Sequence, residues 1–417
     1  MNRDLISSSS IADQEIFYYD EFRTNIQQAS LQLDETIKQI KDREDDSLAK
    51  IILYLYQGLF MIIDGEKKYR TSDYSGASNA YLAGEKMIVR FQRMSTNFPV
   101  QFQQEAERLD NFAKGRNFEC LALKKGASIE NQIENLLEAI NSYTLEAQIS
   151  EQIDRPLLKY NANARANFVR GLSFRIEGEQ AFTKENFYLS KKKHLDAYRS
   201  FVKASYYNPS YSIWIKEQND TIKNTMRVII EQKASSYWKE AYKLSNEGKF
   251  NEQSSLCKAA SKLYLRASNL AQDMKKAKIL YSYSFMLKAS MYEAIANDFV
   301  KNNNDAKGAI RQFELAAELM KQAIESFPQK EEDKITVGRW EAQQKYYMGN
   351  FHQAQGIFNL DSEKYQDAMQ LFTQAESIFS EALKIANEIK DNTLIKLLEK
   401  SIAEAKGYIG MCKTVVE

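Results

Sequence analysis

The chain has 417 residues, with 57 Lys and Arg against 56 Asp and Glu, four prolines and two histidines. This length exceeds the roughly 250 to 300 residues at which a single core stops growing, so the chain forms several domains or one extended repeat array. The low proline content and the lack of Asn-Gly hairpin turns predict an almost entirely helical protein. Two histidines are too few for most metal and nucleophile constellations, and HExxH, GxSxG, P-loop and GxGxxG motifs are absent. We therefore expect no catalytic residues, no metal and no cofactor.

Hydrophobic periodicity and capping residues predict about fourteen helices in chain order. The first runs from an N-cap at Ser10 to about residue 41, and the second is expected to end at Asp64-Gly65. Three of the four prolines, Pro99, Pro156 and Pro209, stand where helices are predicted to start, a position at which proline is tolerated. The predicted spans after the first are 47–64, 72–96, 99–125, 128–149, 157–187, 190–207, 210–247 (with a possible break near Gln232), 250–271, 274–302, 305–326, 331–360, 362–388 and 391–415.

One segment carries a repeat signature. Gly356, Tyr365, Ala368, Phe372 and Ala375 follow one another at offsets of nine, three, four and three residues. On a helix, Ala368, Phe372 and Ala375 share a face on which two small residues flank a large one, so a neighbouring helix can approach closely. This pattern resembles the second half of a tetratricopeptide (TPR) helical hairpin. The resemblance implies an all-α fold of antiparallel helical hairpins stacked as an irregular TPR-like α-solenoid.

Degenerate copies of the pattern are spread along the chain. The positions that match are Gly171, Phe174, Ala197, Phe201, Ala204 and Pro209; then Ala241, Leu244, Gly248, Phe250, Cys257 and Ala260; then Ala309, Phe313 and Ala316; and, more weakly, Tyr74, Ala77, Tyr81 and Gly84. We therefore expect one continuous body with three parts. These are an N-terminal bundle or first repeats (1–150), TPR-like middle repeats (151–300) and TPR-like C-terminal repeats with a capping helix (301–417).

Charge is distributed unevenly over these parts. Residues 1–150 carry 17 basic and 23 acidic side chains, residues 151–300 carry 25 and 15, and residues 301–417 carry 15 and 18. The net charge of +1 thus conceals a basic middle, and a basic surface attracts acidic partners. The sequence predicts a partner, a protein or acidic peptide segment, on the middle repeats.

Two groups of polar residues are candidates for partner binding. Lys159, Asn163, Asn167 and Arg170 form a stripe on one predicted helix. In TPR domains that bind acidic peptide tails, Lys and Asn one turn apart hold a carboxylate, and this stripe is similar in kind; the alternative is an ordinary solvated face. Lys191, Lys192 and Lys193 are expected to open the next helix, where cations oppose the helix dipole, so they form either an anion site or a solvated turn.

The aromatic residues around Pro209 also allow two interpretations. Tyr206, Tyr207, Tyr211 and Trp214 either fill the space between successive helices or form a stacking platform for a peptide or bases. Packing between helices is the interpretation we favour.

These observations predict a non-enzymatic scaffold or adaptor that binds an acidic protein segment. The alternative is a binder of an anionic surface, nucleic acid or membrane headgroups, and the long helices are weakly similar to Bro-type adaptor domains. Three dispersed cysteines and an N-terminus without an apolar core predict a cytoplasmic protein without a leader. The apolar stretch from Ile51 to Ile63 is expected to be a buried helix, too short to span a bilayer.

Overall fold

The computed structural model describes residues 24–29, 31–32, 34–35, 45–328 and 333–416. All regular structure in these ranges is helical. The described residues contain thirteen long helices, and a short 3-10 turn, Pro209–Tyr211, precedes the seventh. They are α1 (Asp45–Arg70), α2 (Tyr74–Met94), α3 (Val100–Leu123), α4 (Ile129–Gln152), α5 (Pro156–Thr183), α6 (Phe187–Tyr207), α7 (Ser212–Asn246), α8 (Phe250–Leu270), α9 (Met274–Lys301), α10 (Ala306–Ser326), α11 (Lys334–Asp361), α12 (Tyr365–Glu388) and α13 (Asn392–Val416).

Most of these helices lie where the sequence predicts them, with two corrections. Helix α1 continues through Asp64-Gly65 to Arg70, because Gly65 is buried against the ring of Tyr81 and that packing holds the helix together. Helix α7 is unbroken at Gln232. Much of the first predicted helix, with its N-cap at Ser10, lies outside the described residues, while residues 24–29, 31–32 and 34–35 are helical.

Short turns with a shared backbone conformation separate the two helices of each hairpin. One residue with positive φ precedes the next helix at Ser72, Gly126, Glu185, Gly248, Asn304 and Glu363. At several of these turns a side chain caps the following helix; for example, Asp73 accepts from the Gly76 N–H, Asn186 from Leu189 and Asp305 from Gly308. These turns reverse the chain direction, so consecutive helices pack antiparallel.

The hairpins repeat in a register that is visible once the structure is known. The first helix of each hairpin carries a buried small residue at Gly58, Gly115, Gly171, Ala234, Ala289 and Gly349, in steps of 57, 56, 63, 55 and 60 residues. A second small residue follows seven positions later in every case, at Gly65, Ala122, Gly178, Ala241, Ala296 and Gly356. Because seven residues are close to two helical turns, both lie on one face of the helix.

Large side chains of the second helix lie over these small residues. Rings cover the glycines at close range in the pairs Gly65–Tyr81, Gly115–Tyr143, Gly171–Phe201, Gly178–His194, Gly349–Phe379 and Gly356–Phe372. The same contact therefore recurs in four hairpins. The fold is all-α and is built from stacked helical hairpins, but its repeat is much longer than the TPR unit of about 34 residues.

The chain divides into two compact units, Met1–Ile222 and Lys223–Glu417, with the boundary inside α7. In the first unit each helix from α1 to α6 packs against the next, around cores centred on Tyr81 and on Phe201. In the second unit the same sequential packing links α8 to α13, around a core that includes Met320 and Phe379. The three-part division by charge remains a prediction.

Candidate partner-binding surfaces

The predicted carboxylate-binding stripe lies on α5, where its members bind one another and a neighbouring acid. Lys159 Nζ is 2.5 Å from the Glu151 carboxylate. The Asn167 side chain donates to the backbone carbonyl of Asn163 at 2.8 Å, and Arg170 donates to Asn167 at 3.2 Å. The stripe is half-buried and internally hydrogen-bonded, so a ligand would have to compete with these contacts.

The three consecutive lysines lie on α6, but not at its start. The helix begins at Phe187 with Asn186 as its cap, so the lysines fall in the second turn. Only Lys192 is exposed, while Lys193 forms an ion pair with Glu177 and lies over the Phe174 ring at 5.2 Å. The expectation that these lysines open the helix is therefore wrong, because Asn186 caps the helix one turn earlier.

The aromatic group around Pro209 divides into two pairs. Tyr211 and Trp214 pack on Phe168, with ring centroids 4.6 and 5.3 Å away, so they belong to the core. The ring of Tyr207 stacks on Tyr160 at 5.9 Å, and Tyr206 beside it is 83% exposed. Packing thus accounts for Tyr211 and Trp214, whereas Tyr206 remains at the surface.

The residues of the repeat signature lie at the α11–α12 contact. Ala368, Phe372 and Ala375 are fully buried, Gly356 is buried beneath the Phe372 ring, and Tyr365 is half-buried at the first position of α12. The four buried residues thus pack the two helices together.

The first unit contains a buried network of charged and phenolic groups that sequence reasoning missed. Glu119 accepts hydrogen bonds from Tyr69 at 2.5 Å, Tyr143 at 2.7 Å and Arg116 at 3.2 Å. Arg116 also donates twice to Glu66, at 2.7 and 3.2 Å, and Tyr81 donates to Glu66 at 2.7 Å. Residues of α1, α2, α3 and α4 are thereby joined through two carboxylates.

The pKa shifts in this network favour a fixed charge distribution. Burial raises the pKa values of Tyr69, Tyr81 and Tyr143 well above the usual range, so these phenols remain protonated donors. Burial also works to raise the pKa of Glu66, but the Arg116 charge and the Tyr81 hydrogen bond outweigh it, and the net shift is downward. A Glu66 carboxylate whose pKa is lowered, in a network where both carboxylates are already hydrogen-bonded, suits a structural role better than proton transfer.

A third buried carboxylate in the same unit, Glu146, is also paired. Arg165 donates to both oxygens of Glu146, at 2.7 and 2.8 Å, and Arg108 adds a contact at 3.3 Å. The Arg165 guanidinium also lies 4.8 Å from the Phe112 ring centroid. Arg165, one of the eleven basic residues between 155 and 203, is thus largely buried and paired within the protein.

A groove in the second unit is lined by basic residues that have no ion pair in the described chain. It forms where α8 and α10 both pack on α9, and it encloses about 400 Å³. Its floor is apolar, with Met291 and Tyr292 from α9 and Leu315 and Leu319 from α10. The other lining residues are Lys258, Ser261 and Lys262 from α8, Lys288 from α9, and Glu318 and Gln322 from α10.

The lysines of this groove lack acidic partners. Lys258 and Lys262 are exposed, one helical turn apart on α8, and Arg266 extends their row by another turn. None of these three forms an ion pair within the described chain, and Lys288 contacts only the face of the Phe285 ring, at 5.3 Å. The spacing of 258, 262 and 266 is visible in the sequence, but its position beside an apolar groove is not.

Other chemistry-bearing groups are dispersed. The three cysteines are buried and free, and no group of three or more His, Cys, Asp and Glu side chains in the described residues could hold a metal ion. His194 is buried, with its ring Nδ1 2.9 Å from the Gln218 side chain. Glu293 on α9 has a buried carboxyl group that accepts a hydrogen bond from Tyr347 at 2.9 Å, and burial raises its pKa to about 7.

One helix among the described residues meets the length and composition criteria for a membrane span. It is Leu48–Arg70, with a mean hydropathy of 1.4. The helix continues past Ile63 and is longer than the apolar stretch seen in the sequence, and the expectation that it does not span a bilayer remains a prediction. Gly58 and Gly65 pack it against Ile88 and Tyr81 of α2, and core helices meet the same criteria.

Comparison with known proteins adds little to this description. No protein-family model matches the chain, and no curated protein matches it. Among solved structures, the chain is similar to one described as a circular tandem repeat protein with novel repeat topology and enhanced subunit contact surfaces. The two share 14% identity over 97% of this chain and 98% of the other, with a TM-score of 0.22, which is too low to carry an argument. The internal repeat itself defines the class: this is an all-α helical repeat protein.

Proposed function

We propose that this protein is a non-enzymatic cytoplasmic scaffold that binds an acidic protein segment through its basic middle, residues 151–300. Stacked hairpins offer an extended surface whose shape does not depend on a single compact core, and proteins of this architecture generally serve in binding. A fold alone does not identify a partner, so the proposal depends on charge and surface.

The observation that carries the proposal is the row of unpaired basic residues on α8. Many basic side chains of the middle segment are neutralised within the protein, including Lys159, Arg165 and Lys193. Lys258 and Lys262 instead are exposed, without an acidic partner in the described chain, along a groove with an apolar floor. Basic groups beside apolar surface favour a ligand that has both acidic and apolar side chains.

We also infer that the hairpins are related to TPR hairpins in their local packing. Ala368, Phe372 and Ala375 have the TPR spacing and lie buried against the preceding helix. The longer repeat requires longer helices than TPR hairpins have, so the relationship concerns the contact and not the repeat length.

A binder of nucleic acid or membrane headgroups, including a Bro-type adaptor, is the alternative function. The excess of ten basic residues in the middle segment favours it. The acidic Glu318 on the wall of the groove opposes it, since a polyanion would meet a carboxylate there.

Binding of labelled probes to the full chain tests the proposal. A disordered Asp- and Glu-rich peptide, a neutral peptide, duplex DNA and vesicles of phosphatidylserine and phosphatidylcholine are titrated by fluorescence anisotropy or sedimentation. We expect the acidic peptide to bind more tightly than the neutral peptide, and to weaken with added salt because charges are screened over ~10 Å at 0.1 M. Equal binding of both peptides, or preference for DNA or vesicles, would reject the scaffold for an acidic segment.

A further inference from the structure

We infer that the groove between α8 and α10 binds an amphipathic helix whose acidic residues are spaced one helical turn apart, an inference that rests on the proposed function and specifies its binding mode. Three features of the groove lead to this ligand: its direction and length, the spacing of its basic residues, and the difference between its two walls.

The direction of the groove matches a helix. Helices α8 and α10 both pack antiparallel on α9, so they run in the same direction, and the groove between them follows their axes. Its lining residues on α10 extend from Leu315 to Gln322, which at 1.5 Å per residue corresponds to about 10 Å, or two helical turns. A docked helix would place apolar residues at i, i+3 or i+4 and i+7 on the floor.

The basic wall specifies the acidic positions. Lys258 and Lys262 are four residues apart, and Arg266 is four further on, so their side chains leave α8 on one face at a rise of about 6 Å each. A partner helix that lies along α8 presents Asp or Glu at the same interval only if they are spaced four residues apart. A helical ligand therefore matches this wall when its acidic residues are four positions apart.

The opposite wall distinguishes a peptide from other anions. Glu318 and Gln322 on α10 face the ligand across the apolar floor. A protein helix can present a polar or basic residue to this side, whereas a nucleic acid or a lipid headgroup layer carries negative charge on every side. A recessed floor of Leu, Met and Tyr also contributes to binding only if an apolar side chain enters it.

Three labelled peptides of roughly 18 residues, long enough for five helical turns, test the geometry. The first has Glu at i, i+4 and i+8 beside a stripe of Leu. The second has the same composition in an order that gives no amphipathic face, and the third keeps the Glu positions but replaces Leu with Ser. We expect the first to bind the full chain about tenfold more tightly than either of the others, because only it meets both the lysines and the floor.

Charge reversal tests the location. The variant Lys258→Glu/Lys262→Glu is compared with Lys396→Glu/Lys413→Glu, which makes the same change in net charge at exposed residues of α13 without ion pairs in the described chain. We expect the affinity of the first variant for the amphipathic acidic peptide to fall about tenfold. The control variant should bind this peptide nearly as tightly as the natural chain does. A peptide with Lys in place of Glu should bind the first variant better than the natural chain, which also shows that the variant is folded.

The outcomes separate this inference from the proposed function. If the ordered and permuted acidic peptides bind equally, or if both double variants lose binding equally, the groove is not the site, although salt-sensitive binding of acidic peptides would still support the scaffold. If neither acidic peptide binds more tightly than a neutral one, both the proposed function and the groove are rejected.

Discussion

The ring of Phe372 on α12 lies directly over Gly356 on α11, so close that a Cβ atom on this glycine would stand 2.7 Å from Cε1 of the ring. Both residues are buried. The contact brings the backbones of the two helices together, and it is the same contact that Tyr81, Tyr143 and Phe201 make in the first unit.

Gly356→Ala is expected to destabilise the protein by about 1 to 3 kcal/mol, because the added methyl group overpacks the contact and outweighs the gain in helix propensity. Gly410→Ala is the matched control, since its Cβ would meet nothing within 4 Å. The control should stabilise α13 by up to about 1 kcal/mol. Chemical denaturation of both variants measures the difference, and equal effects at the two sites would contradict the close approach of α11 and α12.

Phe372→Ala removes a fully buried ring and leaves a cavity, so we expect a loss of roughly 3 to 5 kcal/mol. Phe358→Ala, at a ring that is 38% exposed, should cost clearly less. In a repeat array the damage remains mainly local, so hydrogen exchange should accelerate first within residues 347–388. Uniform acceleration along the second unit would mean that it unfolds as one body.

Arg116→Met leaves Glu66 and Glu119 buried without their guanidinium partner, and we expect a loss of about 3 to 5 kcal/mol. Arg199→Met removes an arginine that is largely exposed and pairs with Asp196 at the surface, so it should cost at most about 1 kcal/mol. Thermal unfolding of the two variants provides the comparison. A small effect at Arg116 would show that water or another cation replaces it.

Glu293 should make the second unit less stable as the pH rises. Burial raises the pKa of its carboxyl group from the ordinary value of 4.5 to about 7, so between these values the folded state binds more protons than the unfolded state. Stability then falls as the pH increases from about 4.5 through 7, by at most roughly 3 kcal/mol. Glu293→Gln keeps the hydrogen bond from Tyr347 and cannot ionise, so its unfolding free energy should lose this component of pH dependence.

The opposite slope, or an identical pH profile in the natural chain and the Gln variant, would show that Glu293 remains ionised in the folded state. Glu66 gives an internal contrast, since its lowered pKa contributes stability that is lost as the pH falls.

Lys159→Ala/Asn163→Ala tests the carboxylate-binding stripe on α5. If the stripe holds a terminal carboxylate, the variant should lose affinity for a peptide with a free acidic C-terminus and retain affinity for the amidated peptide. Because Lys159 already pairs with Glu151 and Asn167 donates to the Asn163 carbonyl, the affinity of such a site should be low even in the natural chain. Equal losses of affinity for both peptides would mean that the stripe contributes only through general electrostatic attraction and does not bind a terminal carboxylate.

The all-α fold and most helix bounds can be predicted from the sequence, because they depend on local signals. Pro156 at the start of α5 and the spacing of Ala368, Phe372 and Ala375 are readable without the structure, whereas the Asn186 cap of α6 was not recognised. Local signals failed at Gly65, where the helix continues because the Tyr81 ring covers the glycine from another helix. Local signals also do not reveal the repeat of 55 to 63 residues, because glycine occupies a position in some hairpins and alanine the same position in others. The equivalence of these positions becomes clear only when the hairpins are aligned.

Which charged side chains lack a partner depends on how the helices pack. Lys193 and Lys258 look alike in the sequence, yet one pairs with Glu177 of the preceding helix and the other lines an open groove. Arg116 and Glu66, fifty residues apart, meet inside the first unit. The energy of a charged group depends on its solvent exposure and on the charges within a few ångströms. Helix packing determines both quantities. It brings together residues that are far apart in the sequence, so their proximity cannot be predicted from their spacing along the chain.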